Sequence, residues 1–167
     1  MASEWINKWR SVKNNSTLIK ALLKPLKPNE LKKNHQAINN IHNEVFEKID
    51  CLECANCCKS IPPIVSSRDT KRIARHLGMS KQDFHSRYLI TDSDGDTVIN
   101  ASPCPFLEED SRCQIYEVRP NACRQYPHSG EFQFVENLGL HRQNINYCPA
   151  LYEIIRRINK KMEEGRK

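Results

Sequence analysis

Cys51-Leu52-Glu53-Cys54-Ala55-Asn56-Cys57-Cys58 places four thiols within eight residues. Cys51, Cys54 and Cys57 form two overlapping CxxC units, a spacing in which a tight turn brings two sulfurs onto one centre. Thiolates suit zinc, copper(I) and iron–sulfur clusters. Three thiolates in seven residues are typical of loops that wrap an iron–sulfur cluster, whereas zinc more often takes two separate pairs. Cys51, Cys54 and Cys57 are therefore the leading ligand candidates. Side chains of neighbouring residues diverge in extended backbone, so Cys58 is expected to serve a second centre or to be a buried thiol. The motif cannot close its own site, and at least one sulfur must come from Cys104, Cys113, Cys123 or Cys148. Eight sulfurs suffice for two four-sulfur centres or for one centre plus structural thiols. A redox CxxC would need a strand-then-helix setting that this stretch lacks.

The chain of 167 residues fits one domain with terminal extensions. Only 38% of residues are hydrophobic and 7% aromatic, so the core is expected to be modest and to benefit from a metal staple. Met1 to Arg10 carries charge and no apolar run, which does not read as a secretory leader. No stretch approaches the roughly 20 apolar residues of a membrane span. A cytoplasmic location is expected, and a reducing compartment favours metal or redox chemistry over disulfides. The formal charge is +6, concentrated near the termini in Lys24, Lys27, Lys32, Lys33, Arg156, Arg157, Lys160 and Lys161. It reads as solvated helix faces rather than a nucleic-acid footprint.

Outward from the motif, Trp5, Ile6, Trp9 and Val12 share one side of a short helix, either to meet a partner or to dock on the chain itself. Lys24-Pro25-Leu26-Lys27-Pro28-Asn29 interrupts the chain. Leu31, Ile38, Ile41, Val45 and Ile49 repeat with helical period and predict a helix over 31–49. His35 and His42 read as ordinary residues of it. Ile61 to Val65 reads as extended around Pro62 and Pro63. Ser66 and Ser67 predict the cap of a helix through Leu77, ended by Gly78. Ser80 with Asp83 predicts a capping box for a helix through Tyr88, with Ile73, Leu77, Phe84 and Tyr88 as the buried side. Asp92-Ser93-Asp94-Gly95-Asp96 predicts a turn before a strand over Thr97–Asn100. It fails as a calcium loop because its twelfth position is Pro103. Pro149 suits the first position of a final helix, with Leu151, Ile154, Ile155, Ile158 and Met162 along its apolar stripe. His128 and His141 read as exposed loop residues, either of them available as a substitute ligand.

The motif set Cys51–Cys58, Cys104-Pro105-Phe106-Leu107, Cys113-Gln114-Ile115-Tyr116-Glu117-Val118-Arg119-Pro120 and Cys123-Arg124-Gln125-Tyr126-Pro127 resembles the CxxCxxCC family of zinc- or iron-chelating, YkgJ-type cysteine-cluster proteins. The resemblance implies that Cys51, Cys54, Cys57, Cys58, Cys104, Cys113, Cys123 and Cys148 are chelators. It also covers Arg119, Pro120 and Arg124. An arginine there can donate to sulfur, or pair with Glu117, and so lower the net charge of the site. The family's domain is related to part of flagellin lysine N-methylases. That implies an alternative: an iron–sulfur enzyme or accessory component of protein lysine N-methylation. Against a stand-alone methylase stand the chain's length and its lack of a Gly-rich nucleotide loop.

The expected architecture is α+β, mainly helical and irregular, with short strands and loops around the cysteine cluster. Residues 1–30 form an N-terminal extension and residues 31–164 the chelating domain. The expected function is metal binding, with an iron–sulfur cluster or zinc ion in one or two centres. A zinc-stabilised adaptor with a protein partner is a further alternative. No catalytic acid/base pair or nucleophile is evident.

Overall fold

The computed structural model describes residues 4–130 and 133–165. Expectations for residues 1–3 and for the Trp5 side chain lie outside the described residues. The fold is α+β and mainly helical. Its helices are α1 (Glu4–Val12), α2 (Ser16–Leu23), α3 (Pro28–Lys33), α4 (His35–Phe46), α5 (Cys51–Cys54), α6 (Asn56–Ser60), α7 (Ser67–His76), α8 (Lys81–Tyr88), α9 (Asn121–Gln125), α10 (Gln133–Glu136), α11 (Leu138–Asn144) and α12 (Pro149–Glu164). Strands β1 (Leu89–Thr91) and β2 (Thr97–Ile99) form an antiparallel hairpin. No described helix is long and apolar enough to cross a membrane. The chain divides into two compact units, Cys51–Tyr126 and the flanking Met1–Asp50 with Pro127–Lys167.

The flanking unit is built on α12. Pro149 occupies its start and lacks the N–H that a first helical residue would leave unbonded. Leu151, Ile154, Ile155 and Ile158 are buried, each contributing about 1.5–3 kcal/mol of apolar burial. This stripe packs against α1, α2 and α4. Trp9 is buried, and its indole Nε1 donates to Ile145 O at 2.7 Å. The apolar side of α1 thus docks within its own unit. Arg156 and Arg157 are not free solvated charges: both donate to Glu153, whose side chain is 4% exposed.

The helix expected over 31–49 is two helices. Asn34 stands between them at φ −109° and ψ 17°, and its side-chain amide donates to Glu30 O at 2.8 Å. An asparagine that satisfies a local carbonyl in this way competes with the helical ladder. The second helix stops at Phe46, short of Ile49. His141 is also not an exposed loop residue. It lies on α11, fully buried, with its ring 4.5 Å from that of Phe134.

In the Cys51–Tyr126 unit, Ser66 caps α7 through a complete capping box with Asp69, and Gly78 follows the helix at φ +68°, a value glycine adopts without strain. Ser80 accepts from Asp83 N at 3.1 Å and caps α8. The hairpin pairs Leu89 with Ile99, Ile90 with Val98 and Thr91 with Thr97. Asp92 Oδ1 accepts from Asp94 N and Asp96 N at 3.0 and 2.9 Å, closing the acidic turn. Strand β1 was not apparent in the sequence, and β2 ends at Ile99 rather than Asn100. The 61–65 segment is extended as expected and joins β2, with Val65 N donating to Thr97 O at 2.8 Å. Val65, Ile73, Ala74, Phe84, Leu89, Ile99, Phe106 and Ile115 make the core, and Cys104 and Cys113 pack against it.

Candidate metal centre

The cysteine motif is helical rather than a loop. Cys51–Cys54 forms the single turn α5, Ala55 breaks it at φ +44°, and α6 carries Cys57 and Cys58. Adjacent residues of a helix project about 100° apart, so Cys57 and Cys58 leave α6 in different directions. Cys51 is exposed and Cys54, Cys57 and Cys58 are half-buried.

Cys58 faces the second cysteine group through the backbone: Cys104 N donates to Cys58 O at 2.8 Å. From Cys104 the chain makes a tight reversal. Gln114 N donates to Phe106 O at 2.9 Å, Glu108 N donates to Arg112 O at 2.8 Å, and Leu107 bridges Cys113. Cys104 and Cys113 therefore stand at the two ends of one short hairpin. Each sulfur accepts a backbone N–H from two residues on, Phe106 for Cys104 and Ile115 for Cys113. Such N–H···S bonds orient a sulfur and favour its thiolate form. A 3₁₀ turn over Tyr116–Val118 then leads through Pro120 to α9 and Cys123.

The four thiols act on one another electrostatically. Burial raises the Cys123 thiol to about 12, and the charges of Cys58, Cys104 and Cys113 push it the same way. Burial raises Cys104 to about 11, opposed by the Phe106 N–H and reinforced by Cys58 and Cys113. Cys113 is raised mainly by burial. Cys58 moves the other way, to about 7, chiefly through its hydrogen bond with Cys57, with Lys59 and Arg119 adding positive charge. One ionisable thiol thus sits among three that burial keeps protonated. Among the described residues, no three His, Cys, Asp or Glu side chains are already arranged to hold an ion.

Cys148 belongs to the flanking unit. It is buried, precedes α12, and its N–H donates to Asn144 O at 2.8 Å. His128 and His141 belong to that unit as well. Arg119 and Arg124 do not pair with the Glu117 carboxylate. Arg124 donates to the backbone carbonyls of Glu117 and Arg119. Arg119 donates to Tyr116 O at 2.6 Å, and its guanidinium lies 3.7 Å from the Tyr116 ring centroid. The charge of Arg119 favours the thiolates of Cys58, Cys113 and Cys123.

Sequence reasoning missed Asp69 and Arg72, which bond to the 118–121 segment beside these thiols. Arg72 donates to Val118 O at 3.2 Å and to Arg119 O at 2.7 Å. Asp69 accepts from Asn121 N at 3.2 Å. A partial signal was present, since Ser66 and Asp69 have capping-box spacing, but no local pattern announces a bond spanning 52 positions.

The half-helical cysteine motif is thus joined through the Cys58 carbonyl to a cysteine hairpin. Residues 50–149 match the CxxCxxCC family, described as a "putative zinc- or iron-chelating domain", and the chain belongs to that family. It is also 29% identical over 110 residues to an uncharacterized protein of Methanocaldococcus jannaschii. That match covers 61% of this chain and 57% of the relative's length. No solved structure matches the chain.

Proposed function

We propose that the protein is a metal-binding module whose centre is formed by Cys58, Cys104, Cys113 and Cys123. The observation that supports this reading is backbone pairing: Cys104 N donates to Cys58 O and Leu107 bridges Cys113, so α6 and the cysteine hairpin lie side by side, with the Cys58, Cys104 and Cys113 thiols close enough to Cys123 to raise it. The donor set is all sulfur, which suits zinc or an iron–sulfur cluster and disfavours magnesium or calcium. Four thiolates around Zn²⁺, or around a [4Fe–4S]²⁺ core, leave two net negative charges. Arg119 and Lys59 supply nearby positive charge. The N–H donors of Phe106 and Ile115 support the sulfur of Cys104 and Cys113 in its charged form. A bound metal would cross-link α6, the 104–113 hairpin and α9, so that binding and local folding are one equilibrium.

Anaerobic purification with elemental analysis and a visible spectrum tests this reading and separates the metals. Broad visible absorption with iron and sulfide identifies a cluster. A colourless protein with stoichiometric zinc identifies a zinc site. In either case Cys58→Ser and Cys123→Ser should each lose most of the metal. Full metal content in both variants would sink the assignment.

A further inference from the structure

The carboxylate of Asp69 makes more bonds than a helix cap requires. The residue is 1% exposed. Its Oδ2 accepts from Ser66 N at 3.0 Å and from Ser66 Oγ at 2.6 Å, which completes the cap of α7. Its Oδ1 accepts from Arg72 Nη2 at 2.5 Å and from Asn121 N at 3.2 Å. Arg72 sits one turn further along α7 and donates from the same Nη2 to Arg119 O at 2.7 Å and from Nε to Val118 O at 3.2 Å. One carboxylate and one guanidinium thus satisfy the backbone of Val118, Arg119 and Asn121. These residues run from the last position of the 3₁₀ turn to the first of α9, across a junction where the regular ladder is broken and Pro120 has no N–H to give.

The same protein contains a cap that stops at capping. On α8, Ser80 and Asp83 repeat the Ser-x-x-Asp spacing, with Ser80 Oγ donating to Asp83 Oδ2 at 2.6 Å. Asp83 is exposed, and among the described residues its hydrogen bonds stay with Ser80 in its own cap. Burying a carboxylate costs free energy unless it is paired and fully bonded. The burial of Asp69 therefore marks a task beyond ending a helix.

We propose that Asp69 and Arg72 are positioning residues for the metal centre, a clamp from α7 that fixes the 118–121 segment and through it the placement of Arg119 and Cys123. The inference rests on the centre proposed above. Arg119 is held directly by its carbonyl. Cys123 follows Asn121, whose N–H Asp69 holds, on the five-residue helix α9, which is too short to be stable by itself. The Arg124 Nε bond to Arg119 O, at 3.3 Å, carries the same constraint to the far side of Cys123. The clamp engages no metal. It sets the position of one ligand and one cation before an ion arrives, so loosening it acts on affinity and on the number of thiolates that reach the ion.

The test uses the full chain loaded with Co²⁺ and challenged with graded EDTA, following thiolate-to-cobalt absorption. Circular dichroism establishes that each variant is folded. Asp69→Asn and Arg72→Gln are expected to release Co²⁺ at about 10–100-fold lower EDTA, with lower charge-transfer absorption per bound ion. Asp83→Asn is expected to lose stability yet keep the release profile and absorption of the unaltered chain. If Asp69→Asn does not fold, Arg72→Lys takes its place, keeping the charge while losing the forked donor. Folded clamp variants that hold Co²⁺ as the unaltered chain does, with equal absorption, would overturn the proposal and leave Asp69 a cap. Cys123→Ser in the same series separates the two levels. If it weakens binding while the clamp variants do not, only the clamp fails. If it too binds as the unaltered chain, the centre itself is wrongly assigned and the clamp falls with it.

Discussion

At the scale of single residues, protonation decides how the proposed centre takes up an ion. Cys104 and Cys123 are raised to about 11 and about 12 and Cys113 is also raised, while Cys58 sits at about 7. Near pH 8 the first three are thiols and Cys58 is largely thiolate. Binding through all four must then expel one proton from each of Cys104, Cys113 and Cys123. Zinc titration in weakly buffered solution should therefore release about three protons per ion, and affinity should rise steeply with pH. Release of fewer than two protons would mean that the raised thiols are not ligands. His141 gives a second, independent prediction. Burial lowers it to about 4, its Nε2–H donates to Phe134 O at 2.8 Å, and Nδ1 has no hydrogen-bond partner among the described residues. A base whose folded pKa lies below its unfolded 6.5 binds fewer protons in the folded state, so stability is lost as pH falls below about 6.5. The term approaches about 2 kcal/mol at pH 5. His42 and His128 are lowered by burial too and add to the slope. His141→Gln keeps a donor for Phe134 O and removes the titration. Its urea-unfolding free energy should fall less between pH 7.5 and pH 5 than that of the unaltered chain, and parallel curves would refute the assignment.

At the scale of elements, legibility followed the range of the interaction. Ser66, Gly78, Ser80 and Pro149 act within one turn of their own helices, and each was readable as a boundary. Ile154, Ile155 and Ile158 were readable because a helical period needs only one face. Asn34 hid a break inside an otherwise periodic run, since its competing bond runs to Glu30 O and leaves the apolar spacing intact. The 3₁₀ turn and the short helices α9, α10 and α11 carry too few residues for any period to show. The cysteines were legible as chelators by residue type, but their grouping was not. Cys58 is covalently next to Cys57 and spatially beside Cys104, and only the kink at Ala55 and the orientation of α6 decide which matters. The solvated reading of the basic residues holds for Lys24, Lys27, Lys32, Lys33, Lys160 and Lys161, which are exposed, but not for Arg156 and Arg157, which rest on Glu153, three and four residues earlier and buried beneath them. That arrangement makes a prediction for α12. Replacing both arginines by alanine leaves a buried carboxylate without compensation, at a cost of about 3–5 kcal/mol. Glu153→Gln keeps acceptor and volume and frees two partly exposed arginines to reach water, at about 1–2 kcal/mol. Urea denaturation should show the double arginine variant as clearly the less stable. The reverse order would mean that the carboxylate is better solvated than its burial indicates.

At the scale of the whole molecule, the two units differ in what can hold them folded without an ion. The Cys51–Tyr126 unit is assembled from three-residue strands, helices of four to ten residues and a tight cysteine hairpin. Pieces this short are unstable alone, because nucleating a helix costs more than a turn or two returns. They depend on one small apolar cluster around Phe84, Ile99 and Phe106. Seven of the eight cysteines lie in this unit, and the eighth, Cys148, in the flanking one. The flanking unit has α4 and the sixteen-residue α12, with Leu31, Ile38, Val45, Leu151, Ile154, Ile155 and Ile158 all buried. Removing a metal from the proposed centre should therefore act regionally. Hydrogen exchange on the intact chain, before and after chelation, should speed up across α6, the 104–113 hairpin, the 3₁₀ turn and α9. Amides of α4 and α12 should keep their protection. The gradient inside the cysteine unit is informative as well: α7, whose Asp69 and Arg72 hold the 118–121 backbone, should loosen less than α9, because its own cap and the burial of Ile73 and Ala74 survive metal loss. Equal loss of protection in α12 and α9 would make the chain one cooperative structure held by its metal, and exchange unchanged by chelation would show that the cysteine unit stands without one.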